Sequence, residues 1–350
     1  MEIGMPLNYS GGFREAADEL LDFEAAGLGI VMMPEAYSFD AVSALGYLAA
    51  RTERVRLASG ILNVYSRTPA LLGMTAAGLD HVSDGRFVLG IGASGPQVVE
   101  GFHGLRYDAP LGRTREVAEI CRMVWRREPL QYAGKYYTLP LDAEHGGSGL
   151  GKPLKLINHP LRERIPMVLA AIGPKNVALA AELFEGWQPV FFAPEHAEAA
   201  FGDSLAAGRA KRAPELGELQ ILVDTTCCIT DDERLRAKVL AGVRDHVALY
   251  VGGMGAKGKN FYNALAVRYG YADAAAEIQD RYLAGDKLGA AAAVPEDLLH
   301  QVALVGDADH VAKRVRAFAD AGVTTLNVQP IAGDHAGRVA TVEALAAMAR

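Results

Sequence analysis

Three stretches of this chain hold residues whose types and spacing could do chemistry. In Ala170-Ala171-Ile172-Gly173-Pro174-Lys175-Asn176 an apolar strand ends, Gly allows close backbone approach, and Pro opens a helix. Free N–H groups at such a helix start, the helix dipole and Lys175 suit a phosphate, although ordinary strand-to-helix turns use the same residues. In Gly90-Ile91-Gly92-Ala93-Ser94-Gly95 the glycines match GxGxxG. A dinucleotide fingerprint needs a helix to open there within the first βαβ unit. Here Pro96-Gln97-Val98-Val99-Glu100-Gly101 follows, in the fourth unit. The stretch therefore reads as a glycine-rich loop at the C-terminal end of a barrel strand, where active sites lie, with Gly92, Ala93 and Ser94 facing a ligand. In Tyr65-Ser66-Arg67-Thr68-Pro69, Arg67 is either a solvated loop residue or an anion ligand.

Glu35 and Tyr37 hold the same station one unit earlier. Glu35 is a general acid or base if buried, and a solvated carboxylate otherwise. Glu100 and His103 carry the same two readings. Lys257 and Lys259 lie in a glycine-rich loop, either solvated or placed to meet an acidic ligand tail, and His81 falls on an outer helix face. Cys121, Cys227, Cys228 and the scattered histidines show no metal-ligand spacing. Three reduced core thiols and no metal are expected.

What positions these residues is a repeated strand-and-helix unit. Val55 to Val64 is an apolar run broken by Ser59-Gly60, and a mid-strand Gly marks a bulge or a close approach. Thr68-Pro69 starts a helix that Gly85 stops, and Phe87 to Ile91 is apolar on both faces, as a parallel strand covered on both sides is. Further strands are read at Glu2–Tyr9 (with Ser10-Gly11-Gly12 as its loop), Leu28–Met33, Pro166–Ile172, Gln188–Ala193, Gln220–Ile229 and Thr325–Ile331, each followed by a helix. Eight such units predict an α/β fold, a (β/α)8 TIM barrel, forming one domain over residues 1–350. Insertions are expected at about 128–164, after strand 4, and 250–295, after strand 7; in the first, GKYYTLP resembles a short hairpin.

Composition narrows the class. Half of the 350 residues are hydrophobic, and 35 basic against 42 acidic side chains leave a net charge of −7, so no nucleic-acid partner is expected. No apolar run approaches a membrane span, and the N-terminus lacks a signal-peptide pattern, so a cytoplasmic protein without a membrane partner is expected.

The string NVYSRTPALLGMTAAGLDHVSDGRFVLGIGASGPQVVEGFHG resembles the luciferase-like monooxygenase superfamily, and more closely its branch using the deazaflavin coenzyme F420, which includes methylenetetrahydromethanopterin reductase. GGSGLGKPLKLINHP, LAAIGPKNVALAAELFEGW and LYVGGMGAKGKNF extend the likeness toward an actinobacterial subfamily of F420-dependent oxidoreductases. The resemblance implies a dimeric barrel with the deazaflavin across the C-terminal strand ends, and a non-prolyl cis peptide at Gly60-Ile61 whose bulge supports the middle ring. It places phosphate contacts at Gly173, Pro174, Lys175 and Asn176, and adds Asn63 and Arg67 to the cofactor-binding set. Several relatives carry Asp-His after strand 2, where this chain has Glu35-Ala36, and a glutamate in strand 1, where Pro6 or a neighbour stands. Glu35 and Tyr37 become the substitute catalytic candidates, and Asn8 joins the cofactor-binding set. The implied activity is hydride transfer between F420 and a small organic substrate. An FMN-dependent two-component monooxygenase and a catalytically silent flavin-binding protein are the alternatives.

Overall fold

Parallel strands buried on both faces dominate the computed structural model, which describes residues 1–8 and 12–350. The strands are β1 (Glu2–Pro6), β2 (Ile30–Met33), β3 (Arg56–Ser59), β4 (Leu62–Asn63), β5 (Phe87–Gly92), β6 (Tyr132–Ala133), β7 (Thr138–Leu139), β8 (Met167–Ala170), β9 (Gly186–Gln188), β10 (Gln220–Ile229), β11 (Leu304–Gly306) and β12 (Thr325–Pro330). The order β1-β2-β3-β5-β8-β9-β10-β12 returns to β1, so eight parallel strands close a barrel. A closed barrel leaves no unpaired edge, and the helices between its strands cover the outside. The (β/α)8 fold is thus the observed one.

Two separate apolar cores result. Inside the barrel, Ile30, Met32, Ala58, Val88, Val168 and Leu222 form one buried cluster. A larger core fills the space between strands and helices. Small residues admit the close contacts. The helix Pro69–Val82 packs on Pro110–Trp125 at Gly73, where a Cβ would lie 2.9 Å from Val124 and where the Trp125 indole donates to the Gly73 carbonyl at 3.0 Å. That first helix begins as read: Thr68 Oγ1 accepts from the Leu71 N–H, and Pro69 occupies the first turn.

Three expectations need correction, and the broken third strand is as expected. The first strand ends at Pro6, while Tyr9, Ser10 and Gly11 lie outside the described residues. The sixth barrel strand is Gly186–Gln188, not Gln188–Ala193. Trp187 anchors it, fully buried with its indole donating to the Ala171 carbonyl at 2.8 Å, whereas Pro189 has no N–H to pair and Phe191 takes a left-handed φ of 51°. The third strand divides into β3 and β4 around a cis Gly60-Ile61 peptide, with β4 pairing only to β5. A short ninth parallel strand, β11, runs along the C-terminal part of β10 through Cys227↔Leu304 to Ile229↔Gly306; three residues carry no readable period.

The insertions sit on this frame. In the first, β6 and β7 form the expected hairpin, and Glu116 accepts the N–H groups of Lys135, Tyr136 and Tyr137 in its loop. In the second, a π-helical turn at Leu249–Gly253 leads to the helices Phe261–Arg268, Ala272–Leu283 and Lys287–Ala292. Among the described residues no helix is long and apolar enough to cross a membrane.

Candidate active site

The C-terminal mouth of the barrel is built on missing side chains. A Cβ on Gly90 would fall 1.9 Å from the Ser59 carbonyl oxygen, so β3 and β5 approach as only glycine allows. Ser59 Oγ bridges them, accepting from the Gly90 N–H at 2.9 Å and donating to the Gly90 carbonyl at 2.8 Å. The chain then turns through Gly60 and Ile61, with the Gly60 N–H donating to the Met33 carbonyl at 2.8 Å. A Cβ on Gly92 would meet Ile61 at 3.0 Å and Ala170 at 3.6 Å, so Gly92 joins the turn to β8 across a surface free of bulk. Asn63 is buried beside it. Its Oδ1 accepts the Tyr65 N–H at 2.8 Å, while its Nδ2 has no partner. Ala93 and Ser94 continue outward, Ser94 with a φ of 55°. Asn8 lies two residues beyond β1 and is exposed.

After β8, Gly173 is the N-cap of the helix Pro174–Leu183 and supplies no side-chain acceptor. Pro174 has no N–H, and those of Asn176 and Val177 turn back to the Gly173 carbonyl at 2.9 and 3.0 Å. The turn therefore presents the Lys175 N–H and its exposed ammonium. The second insertion holds this loop, since Arg268 donates to the Ile172 carbonyl at 3.0 Å and the Phe261 ring lies over Gly173.

Glu35 and Arg67 come together. Arg67 Nη1 and Nη2 donate to Glu35 Oε1 and Oε2 at 2.6 and 2.8 Å, and the Ala41 N–H adds a third bond to Oε2 at 2.9 Å. Both side chains are largely buried, 14% and 11% exposed for Arg67 and Glu35. The hydrogen bonds to Glu35 raise the Arg67 pKa further. Both carboxylate oxygens of Glu35 are thus occupied, which suits a clamp on the loop after β2. Tyr37 is 71% exposed, its ring 6.3 Å from that of Phe102. Arg67 also borders an open cleft of about 250 Å³ with Tyr65, Leu105, Arg106, Arg113 and Tyr137. Glu100 accepts the Tyr107 N–H at 3.1 Å, and Lys257 pairs with Asp280 at 2.5 Å. No group of three or more potential metal-ligating side chains occurs among the described residues. Burial pushes the Cys121 thiol up to about 12 and raises Cys227 and Cys228 as well.

Sequence reasoning missed a polar layer inside the mouth. Asp224 of β10 stands in register with Asn327 of β12, and Gln188 of β9 donates to Asp224 Oδ2 at 2.8 Å. Asn327 Nδ2 donates to the Met32 sulfur at 2.8 Å. Gln188 Oε1 and Asn327 Oδ1 are buried without partners. Burial, the larger effect, raises the Asp224 carboxyl to about 6, against hydrogen bonds from Gln188 and Asn327 that pull it down. The available signal was Asp224 itself, an acid inside the apolar run Gln220–Ile229.

A family model described as luciferase-like monooxygenase matches residues 1–325. The "Putative coenzyme F420-dependent oxidoreductase" of Mycobacterium tuberculosis is 42% identical over 334 residues, 94% of this chain and 94% of that protein. The 5,10-methylenetetrahydromethanopterin reductase of Archaeoglobus fulgidus is 29% identical over 301 residues, 84% of this chain and 81% of that one. Among solved structures, the coenzyme F420-dependent tetrahydromethanopterin reductase of Methanopyrus kandleri superposes with a TM-score of 0.78 at 22% identity, covering 99% of this chain and 97% of that one.

Proposed function

The chain belongs to the luciferase-like monooxygenase family, and within it we propose that this enzyme is an F420-dependent oxidoreductase passing a hydride between the deazaflavin and a small organic substrate. The observation that carries the reading is the 42% identity to a relative named for coenzyme F420, spread over 94% of both chains. The residues present fit such a group. Gly60 and Gly92 leave a surface without side-chain bulk, and Asn63 Nδ2 is a buried donor lacking a partner, as a flat polar heterocycle requires. Gly60, Ile61, Asn63, Gly92, Ala93 and Ser94 would hold the ring, with Asn8 at the rim. Gly173, Pro174, Lys175 and Asn176 would hold a phosphodiester through the Lys175 N–H and ammonium. When bound, the coenzyme supplies the hydride chemistry at its own carbon. The chain's part is to orient the reactants, exclude water and manage the accompanying proton. The Arg67–Glu35 clamp fixes the loops after β2 and β4, so that Tyr37 is presented at the mouth. We read residues 1–350 as one domain working as a homodimer. Leu71, Met74 and Val82, 46%, 52% and 58% exposed, line one stripe of the helix Pro69–Val82, a face suited to a second copy.

Titration of the purified protein with F420 and with FMN, followed by ligand fluorescence, tests the cofactor. F420 is expected to bind at least tenfold more tightly, and Lys175→Ala to weaken it about tenfold. Tight FMN binding without F420 binding would overturn the reading in favour of the flavin monooxygenases of the family.

A further inference from the structure

Strand register places Met32 of β2, Gln188 of β9, Asp224 of β10 and Asn327 of β12 on the inner face of the barrel. Directly opposed residues of parallel strands share a face, and side chains alternate along each strand. By the same register Glu2 and Arg56 also face inward, and Asp224 is the ionisable residue of that face that has no charged partner. The other two lie at the N-terminal end and pair with each other.

The surroundings of Asp224 supply no charge. β9 faces it with Gln188, β12 with Asn327, and β2 contributes the uncharged Met32 to the same cluster. No ion pair forms with Asp224 among the described residues, and the residue is half-buried. The cluster is also short of donors. An ionised carboxylate can only accept, and two amide oxygens, Gln188 Oε1 and Asn327 Oδ1, already lack partners. A proton on Asp224 adds the donor the cluster lacks, and it removes a charge that nothing nearby balances.

We propose that Asp224 is the catalytic residue that carries the proton accompanying hydride transfer, taking that proton up as the site is covered and holding it there between two amides with no charged neighbour. The proposal rests on the oxidoreductase reading above. In the direction of substrate reduction, the acceptor is a C=O, C=N or polarised C=C bond. The hydride, which a C–H bond of the reduced coenzyme would give up with both of its electrons, forms the new C–H bond, and the π pair moves to the far atom. The Asp224 O–H bond breaks as that far atom takes the proton. Water entering from the mouth restores the acid, and Gln188 holds the carboxylate in place meanwhile. For oxidation each movement reverses, and Asp224 must begin ionised.

Two measurements test this. The first is a carbon-13 NMR titration of aspartate-labelled, cofactor-free protein. One carboxyl is expected to titrate near pH 6 and to vanish in Asp224→Asn, while glutamate-labelled Asp224→Glu is expected to show one glutamate carboxyl displaced upward. Titration of every aspartate in the ordinary range near 4 would overturn the proposal. The second is calorimetry of F420 binding near pH 6.5 in buffers of different ionisation heat. Covering Asp224 disfavours its charged form, so the wild type is expected to take up a fraction of one proton, and Asp224→Asn none. F420 binding with equal proton uptake in both proteins would refute the role of Asp224, whereas failure of F420 to bind refutes the cofactor assignment and leaves the NMR result to judge the acid.

Discussion

Replacing Glu35 by Gln separates a clamp from a catalyst. In the wild type Glu35 holds Arg67 through two hydrogen bonds of 2.6 and 2.8 Å and anchors the Ala41 N–H at 2.9 Å. Removing one partner of a buried pair costs about 3–5 kcal/mol, because the other charge stays buried without compensation. With both side chains still slightly open to water, at 14% and 11%, the lower end applies, about 3 kcal/mol. A 350-residue chain unfolds with an entropy of roughly 0.7 kcal/mol/K, so Tm should fall by about 4 °C. Differential scanning calorimetry measures the shift, and Arg67→Met with the double variant completes the cycle. The double variant should lose clearly less than the sum of the two single losses. A Tm within 1 °C of wild type, or additive losses, would refute the clamp. F420 binding should persist in Glu35→Gln below the new Tm.

Three further outcomes follow from the same geometry. Gly90→Ala, whose Cβ would fall 1.9 Å from a backbone oxygen, should lose more than about 4 kcal/mol or yield no folded protein, while Gly242→Ala, in an open helix position, should gain up to about 1 kcal/mol; denaturant unfolding compares them. Glu24 is buried, which by itself raises its pKa, but the N–H groups of Val55, Arg54 and Glu53 more than offset this and hold the carboxyl below its ordinary value. Its contribution is therefore complete above the unfolded pKa near 4.3 and disappears as pH falls through the lower folded value, so the stability gap between wild type and Glu24→Gln, about 2 kcal/mol at pH 7, should narrow below pH 4. The three buried cysteines, with thiol pKa values raised by burial, should resist a disulfide reagent at pH 8 in the native protein and all react in guanidinium.

Local residue order by itself determined the strand-and-helix repeat, the helix start at Thr68-Pro69, the long seventh strand Gln220–Ile229, the hairpin in the first insertion and the glycine-broken third strand. Each of these is written within a few neighbouring residues, as a cap, a period or a missing Cβ. Gln188–Ala193 deceived the same reading, because an apolar run does not say which of its residues pair with a sheet; Trp187 reaching Ala171 and the turned Phe191 decided that. The partnership of Glu35 with Arg67 spans 32 positions and that of Gln188 with Asp224 spans 36, so neither exists until the barrel closes. Closure also brought Asp224 to the inner wall beside two amides and no charge, and burial changed its acidity. A side chain's type is local, but its dielectric surroundings and partners belong to the tertiary structure, and those decide whether a carboxylate clamps a loop or carries a proton.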